Sequence, residues 1–255
     1  MLVVDAFSGL WKVNVTTGIK TNLGPGRKDG SGQPSDLKLF NDVIVDPANP
    51  DLVYISVSSA KWGLEQVPWS ILDHEGSGSL IALSIKSRKS VKLLDGLYFA
   101  NGIEISSDGQ HLLVSECTDW KISKVSLGSL RKLVAEAISN TERKASNTES
   151  YVDGTKLPNY DQLVKKETFA SNLPGEPDNI RLHNGNIYVG IAITRAKGYT
   201  ALDHMASIPV LRSAIARICY LSFLGVDYVR NNWWTHPGLE EVAFTLYSGK
   251  LGDRL

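Results

Sequence analysis

The chain has 255 residues, 42% of them hydrophobic, and its 27 basic and 27 acidic residues cancel. This size and apolar content suffice for one large core or for a repeat architecture within a single domain. The balanced charge creates no field that would attract nucleic acid, so we expect no nucleic-acid partner. The two cysteines fit either a disulfide or two buried thiols, and we expect buried thiols.

The first fifteen residues read as two strands, LVVDA and LWKVN, joined by a Phe-Ser-Gly turn. No basic stretch followed by an apolar run indicates a signal peptide. No uninterrupted run approaches the ~18–20 apolar residues of a membrane span. Because the chain opens inside an apolar β-run, we expect that further sequence lies upstream. Asn14 begins an Asn-Val-Thr triplet, which is an acceptor for N-glycosylation.

One unit recurs along the chain. Its copies are FNDVIVDPANPDLVYIS at Phe40–Ser56, FANGIEISSDGQHLLVSEC at Phe99–Cys117 and PDNIRLHNGNIYVGI at Pro177–Ile191. Each copy places a small carboxamide or carboxylate before an apolar strand, then a turn rich in Gly, Pro or Asn, and then a second apolar strand. Short hairpin-linked strands in groups of four, repeating every ~50–60 residues, are typical of β-propeller blades. We therefore expect an all-β chain of stacked blades.

The predicted strands of the two complete units follow this pattern. They are Val43–Val45, Val53–Val57, Ser79–Ile85 and Ser90–Leu94 in one unit, and Ile103–Ile105, His111–Glu116, Lys121–Val125 and Lys132–Ala135 in the next.

Two segments break the strand rhythm. Residues 139–166 are polar and charged, and we expect a mobile surface insertion because such a segment buries little apolar surface. Residues 200–231 carry apolar side chains at helical spacing, with Pro209 suited to a helix start, and predict a helical insertion. Its amphipathic pattern fits either packing against the blades or contact with a bilayer. Glu241–Tyr247 is predicted to form a last strand.

The repeated polar positions suggest a site. Asn41, Asn101 and Asp178 occupy the same phase of the repeat, and Asp42 and Asn179 lie directly beside them. Innermost strands of propeller blades run in one direction along the channel, so equivalent residues collect at one mouth. Amide and carboxylate oxygens are the ligands that Ca²⁺ prefers. Asn-Gly and Asn-Asp are also ordinary turn dipeptides, and that interpretation remains open at this point.

Several stretches together resemble the strictosidine-synthase-like family: LVVDAFSGLWKVN, FNDVIVD, SSAKW, GSLIALSI, FANGIEIS, LLVSE, LPGEPDNIR and IYVGIA. That family is similar in fold to paraoxonases and to the gluconolactonase and regucalcin group. The resemblance implies a six-bladed propeller with calcium at the channel mouth, of which about four blades are present in residues 1–255. It implies calcium ligands at Asn41, Asp42, Asn101 and Asp178, with Asn179 adjacent.

The resemblance also implies a function, namely a calcium-dependent hydrolase of the arylesterase or lactonase kind, acting on small-molecule esters or lactones. For the full-length parent it implies association with a membrane or location in the secretory lumen. The metal-site Glu of an early blade, and the catalytic Glu of strictosidine synthases in the last blade, have no counterpart in this chain. We therefore expect a truncated chain, possessing reduced or no activity. The alternatives are a non-catalytic membrane-associated or lumenal binding propeller and a strictosidine-type condensing enzyme.

Overall fold

The computed structural model describes residues 1–25, 37–144, 164–195, 205, 208–233 and 236–248. The structure divides into two compact units, and the expectation of a single domain over residues 1–255 stays a prediction. The sheet unit comprises Met1–Leu64 and Gly76–Thr194. The helical unit comprises Glu65–Glu75 and Arg195–Leu255.

The sheet unit contains four antiparallel sheets in chain order, and in each sheet every strand pairs with the next strand along the chain. The first sheet holds β1 (Leu2–Asp5), β2 (Gly9–Val13) and β3 (Lys20–Pro25). The second holds β4 (Leu39–Asp46), β5 (Asn49–Ser59), β6 (Gly78–Ser84) and β7 (Ser90–Leu97). The third holds β8 (Ala100–Ile105), β9 (His111–Glu116), β10 (Lys121–Ser126) and β11 (Lys166–Ala170). The fourth holds β12 (Gly175–His183) and β13 (Asn186–Thr194).

The described helices are α1 (Val67–Asp73), α2 (Leu127–Lys144), α3 (Pro209–Asn232) and α4 (Pro237–Ser248). Short 3₁₀ turns cover Leu64–Gln66 and Cys117–Asp119.

The central strands of the second and third sheets are buried on both faces, as expected for stacked blades. Successive side chains of a strand point to opposite faces, so alternate residues enter different cores. On β9, Leu112 and Val114 join the core shared with the second sheet, whereas Leu113 packs with Ile180 of the fourth. The all-β, propeller-type prediction is thereby confirmed.

Helix α2 replaces the strand predicted at Lys132–Ala135, and that prediction is wrong. Leu127, Leu130, Leu133, Val134 and Ala137 are all buried, and their spacing of three and four residues places them on one helical face. The local run Leu-Val-Ala was read as a strand because the helical period is visible only over the longer segment. Helix α2 includes the first residues of the predicted insertion at 139–166, since it ends at Lys144. Strand β11 begins at Lys166, the last residue of that insertion. Residues 145–163 lie outside the described part of the chain.

The helical unit is built around Trp69 of α1. Its ring packs against Tyr220 and Phe223 of α3 and Tyr247 of α4, with centroids 4.9, 5.1 and 5.7 Å away. The predicted helix start at Pro209 is confirmed. The strand predicted at Glu241–Tyr247 is wrong, because this segment belongs to α4. Proline in the first helical turn and acidic residues near the N-terminus favour the helix despite β-prone side chains.

Candidate functional site

The same β-bulge interrupts the first strand of the second, third and fourth sheets. At each bulge, three steps along the first strand match two steps along its partner. The paired positions are Phe40–Val57 and Val43–Ile55, then Ala100–Glu116 and Ile103–Val114, and then Pro177–Ile191 and Ile180–Val189. The residues inside the three bulges are Asn41 with Asp42, Asn101 with Gly102, and Asp178 with Asn179. All five predicted ligands therefore lie in one repeated feature, which re-aims side chains locally.

The bulges exclude the interpretation of Asn-Asp and Asn-Gly as ordinary turn dipeptides, which the sequence had left open. The Asn-Asp and Asn-Gly pairs lie inside β4 and β8, so they are not the turn dipeptides of a hairpin. Gly102 is required for close packing instead. A Cβ atom placed there would lie 2.6 Å from the Asn179 Cα and 2.8 Å from the Asp178 carbonyl oxygen. Strand β8 therefore approaches β12 backbone to backbone at the candidate site.

Asp42 holds these strands together. Its carboxylate accepts hydrogen bonds from the backbone N–H of Val43 (2.9 Å) and of Ile103 on β8 (3.1 Å). It also accepts a bidentate pair from Arg181 on β12, at 2.8 and 3.1 Å. Hydrogen bonding to Asp42 raises the pKa of the Arg181 guanidinium. Four donors engage this carboxylate, so the structure gives it a bridging role, and its role as a calcium ligand remains a prediction.

Asn41 and Asn101 present their amides in the same way. The Asn41 side-chain nitrogen donates to the Ser58 hydroxyl (2.9 Å), and the Asn101 side-chain nitrogen donates to the Cys117 thiol (3.3 Å). In the described part of the chain, no donor reaches either Oδ1 atom. The oxygen of each amide is therefore the atom left for an external partner.

Asp178 is half-buried and Asn179 is exposed beside it. Among the described residues, no donor contacts the Asp178 carboxylate. Cys117 lies close by and donates its thiol proton to the Pro177 carbonyl at 2.7 Å. Burial raises the pKa of the Cys117 thiol, and the charges of Glu176 and Asp178 add to the effect although the Asn101 hydrogen bond opposes it. This thiol is therefore neutral at physiological pH.

Sequence reasoning missed Glu176 and Cys117. Glu176 is 3% exposed and lies two residues before Asp178, and burial together with the charges of both carboxylates raises the pKa of the Cys117 thiol. That spacing was the available signal. Cys117 is a buried free thiol, as expected, whereas Cys219 is a half-buried one.

The donor set suits a hard cation. Amide oxygens of Asn41 and Asn101 with the carboxylate of Asp178 are oxygen ligands of the kind that Ca²⁺ prefers. The described residues contain no group of three or more His, Cys, Asp or Glu that could hold a metal ion. The proposed ligands differ from such groups because two of them are amides.

Asn14 lies in the turn after β2 and is exposed. Its Oδ1 accepts hydrogen bonds from the backbone N–H of Thr16 (2.9 Å) and Thr17 (3.2 Å). The turn is accessible, and glycosylation at Asn14 stays a prediction.

Helix α3 requires a correction to the sequence analysis. Its 24 residues reach a mean hydropathy of 1.3 over an 18-residue window, so by length and composition it is apolar enough to cross a membrane. Counting only uninterrupted apolar runs missed it, because Arg212, Arg217 and Asp227 interrupt the segment. Its exposed apolar side chains, here called the α3 apolar face, are Val210, Leu211, Ile218, Leu221, Leu224, Tyr228 and Val229.

Comparisons with known proteins agree with the predicted resemblance. The family model described as strictosidine synthase matches residues 41–128. Adipocyte plasma membrane-associated protein of Salmo salar is 27% identical over 220 residues, which cover 86% of this chain and 45% of that protein. Protein strictosidine synthase-like 10 of Arabidopsis thaliana is 29% identical over 201 residues, which cover 79% of this chain and 43% of that protein. The chain thus spans less than half the length of these relatives.

Two solved structures are similar at lower identity. A calcium-binding protein, regucalcin, from Agrobacterium tumefaciens matches with 20% identity and a TM-score of 0.36, covering 49% of this chain and 36% of that chain. A putative gluconolactonase matches with 16% identity and a TM-score of 0.40, covering 71% and 49%. Residues 41–128, which run from the bulge of β4 to the start of α2, match the strictosidine synthase family, as the sequence motifs predicted.

Proposed function

We propose that this chain carries the calcium-binding part of a hydrolase that cleaves ester or lactone bonds in small molecules. The observation that carries the proposal is the bulge repeated in β4, β8 and β12, with Asn41, Asn101 and Asp178 as its first residues. The ester or lactone class comes from the resemblance set out above.

Asn41, Asn101 and Asp178 would hold the ion through two amide oxygens and one carboxylate. Calcium bound there would polarise a substrate carbonyl and stabilise the negative charge that develops on its oxygen. The Asp178 carboxylate lowers the net charge of the bound ion and so sets the strength of that polarisation. Asp42 on β4 bonds to Ile103 of β8 and to Arg181 of β12, and these contacts would hold the three strands beside one another around the ion.

Calcium titration of the 255-residue chain by isothermal calorimetry, together with hydrolysis assays on phenyl acetate and a simple lactone, tests the proposal. We expect calcium-dependent turnover that Asn101→Ala and Asp178→Ala abolish. Asp95→Asn is the matched control, because Asp95 is exposed and its carboxylate bonds to Lys92 and to the neighbouring Gly96 N–H at the surface. A folded, calcium-loaded chain without turnover would reject hydrolysis, and a folded chain that binds no calcium would reject the metal site as well.

A second candidate function is attachment to a membrane surface through the helical unit, independent of catalysis. The α3 apolar face favours it, since its side chains are 38–82% exposed, and an apolar helical face of this kind partitions into the headgroup region of a bilayer. The relatives of the first comparison are named plasma membrane-associated proteins.

Flotation of the chain with phosphatidylcholine vesicles, with and without phosphatidylserine, tests this second candidate. We expect the chain to float and Leu221→Glu to reduce the floated fraction severalfold. Ser213→Glu adds the same charge to α3 at a half-buried position outside the α3 apolar face and should leave flotation unchanged. A chain that stays at the bottom of the gradient argues that α3 serves only to pack protein.

A further inference from the structure

Short polar side chains beside the bulges repeat one pattern of hydrogen bonds. Ser58 on β5 accepts a hydrogen bond from the Asn41 side-chain nitrogen at 2.9 Å. Its hydroxyl then donates to the carbonyl oxygen of Ala100 at 2.7 Å. Ala100 directly precedes Asn101, so Ser58 connects one candidate ligand to the backbone that presents the next.

Cys117 repeats this arrangement one sheet further along. Its sulfur accepts a hydrogen bond from the Asn101 side-chain nitrogen at 3.3 Å, and its thiol donates to the carbonyl oxygen of Pro177 at 2.7 Å. Pro177 directly precedes Asp178. The path therefore runs from Asn41 to Asn101 to Asp178, and each step uses one side chain and one backbone carbonyl.

A parallel set of hydrogen bonds is made by Ser56 and Ser115, which lie two residues before Ser58 and Cys117 in the chain. The hydroxyl of Ser56 donates to the Asn101 carbonyl at 2.5 Å, and that of Ser115 donates to the Asp178 carbonyl at 2.6 Å. In β8 and β12, the carbonyl oxygen of the candidate ligand and that of the residue before it each accept a hydrogen bond from one of these side chains.

All four side chains are buried. Ser56 and Ser115 are fully buried, Ser58 is 1% exposed and Cys117 is 2% exposed. Burying a hydroxyl in an apolar sheet is unfavourable unless its hydrogen bonds are made, and here each is made to a neighbouring sheet. In the fourth sheet the positions equivalent to Ser56 and Ser58 are Gly190 and Ala192, which follows from the pairing of Pro177 with Ile191. These side-chain hydrogen bonds therefore join Asn41 to Asn101 and Asn101 to Asp178, and the fourth sheet has no polar side chain at the equivalent positions.

We propose that Ser58 and Cys117 are positioning residues for the calcium site, and that they set the geometry of one ligand from the strand of another. This inference rests on the proposed function. An Asn amide has one NH₂ donor group and one oxygen acceptor, so anchoring the nitrogen to Ser58 or Cys117 leaves Oδ1 as the ligand atom. The second bond fixes the backbone of the following ligand. Sulfur in Cys117 and oxygen in Ser58 perform the same task, because both accept one hydrogen bond and donate one.

Calcium affinity of single variants, measured by calorimetry on the 255-residue chain, tests the proposal. Cys117→Ala and Ser58→Ala remove the anchor and should each weaken calcium binding about tenfold, the effect of one lost hydrogen bond. The exchanges Cys117→Ser and Ser58→Cys retain an acceptor and a donor and should bind calcium within about twofold of wild type, a difference well below the value of one hydrogen bond. Circular dichroism melts establish that each variant is folded.

Unchanged calcium affinity in folded alanine variants would overturn the proposal. Exchange variants as weak as the alanine variants would also overturn it, since this result would mean that only side-chain size matters at these positions.

A second measurement separates this proposal from the proposed function. In calcium-free protein, Cys117→Ala should shift the NMR signals of the Asn101 side-chain amide and of the Asp178 backbone N–H, whereas Cys117→Ser should shift them little. The side-chain amide of Asn14 is the internal control. If wild type binds no calcium, the proposed function fails and these spectra still decide the positioning role. Unchanged Asn101 and Asp178 signals in Cys117→Ala would overturn that role.

Discussion

At the scale of single residues, the five predicted ligands differ in what their polar atoms already bind. Asp42 is 8% exposed and accepts hydrogen bonds from two backbone N–H groups and from Arg181. Within the described ranges, the side-chain hydrogen bonds of Asn41 and Asn101 are made by their nitrogens, to Ser58 and Cys117. The structure therefore separates a bridging carboxylate from the oxygens that remain for a cation, although all five residues share one feature of the fold.

The bridging role of Asp42 predicts a large loss of stability on truncation. Asp42→Ala leaves the buried Ile103 N–H without its acceptor and Arg181 without its partner, and we expect a loss of about 2–3 kcal/mol in the free energy of unfolding. Urea titration followed by tryptophan fluorescence measures it. Asp95→Ala removes the exposed pair with Lys92 and an exposed hydrogen bond from the Gly96 N–H, and should cost below about 1 kcal/mol. Equal losses in the two variants would contradict the bridging role.

At the scale of elements, the three bulges explain why a small residue occupies the second position of the bulge in β8. The residues at this position in the three bulges are Asp42, Gly102 and Asn179, and at Gly102 the backbone of β12 lies where a Cβ atom would be. A left-handed backbone is not the reason, because Gly102 is not among the described glycines with positive φ. The glycine instead permits the approach of β8 to β12.

Gly102→Ala should therefore force the two strands apart. The added Cβ would meet backbone atoms at 2.6 Å, which cannot rotate away as a flexible side chain would, and we expect a loss of about 2–3 kcal/mol in the free energy of unfolding. Gly128→Ala in the first turn of α2 is the matched control, since its Cβ would find the nearest atom at 3.7 Å. This control should gain up to about 1 kcal/mol from helix propensity. Thermal unfolding of both variants compares them, and a Gly102→Ala variant as stable as wild type would mean that β8 and β12 have room to move apart.

At the scale of the whole molecule, an ion pair between residues far apart in the chain, Asp46 and Arg131, makes the stability of the sheet unit depend on pH. Asp46 at the end of β4 is fully buried. It accepts two hydrogen bonds from Arg131 of α2, at 2.8 and 2.9 Å, and one from the Tyr54 hydroxyl at 2.8 Å. Burial opposes ionisation of Asp46, but the hydrogen bonds from Arg131 and Tyr54 outweigh it and lower the pKa of the carboxyl. Burial, together with the Asp46 carboxylate, raises the pKa of the Tyr54 phenol.

A carboxyl whose pKa is lower in the folded than in the unfolded chain stabilises the fold at neutral pH. This contribution is present above the unfolded pKa of about 3.9 and is lost as the pH falls through the folded value. Arg131→Met should therefore reduce the free energy of unfolding by about 2–3 kcal/mol at pH 7, and by progressively less below about pH 4 as Asp46 becomes protonated. Urea titrations at several pH values measure the difference.

Lys132→Met on the same helix is the control for this pH series, since Lys132 is exposed. It should differ from wild type by less than about 0.5 kcal/mol at each pH. A difference between Arg131→Met and wild type that stays constant from pH 7 to pH 3 would contradict the role given to the Asp46 carboxylate.

Local patterns in the amino-acid sequence predict the repeat, most strands and the shared phase of Asn41, Asn101 and Asp178. These follow from local alternation of apolar residues and from regular spacing, which a strand imposes on its own residues. The sequence also indicated the helix that begins at Pro209, because its apolar spacing extends over several turns. It misassigned Lys132–Ala135, where a helix is recognised only from the buried face that Leu127 begins.

The hydrogen-bond partners of the polar side chains, in contrast, follow from the folded structure. The partner of Asp42 is Arg181, which lies 139 residues away in the chain, and no local pattern connects the two. Ser58 and Cys117 read in the sequence as ordinary small residues of buried strands. Their acceptors, the carbonyls of Ala100 and Pro177, belong to the next sheet in each case. Hydrogen-bond partners of this kind arise when sheets pack together, so the stacking of the sheets rather than the residue pattern determines them.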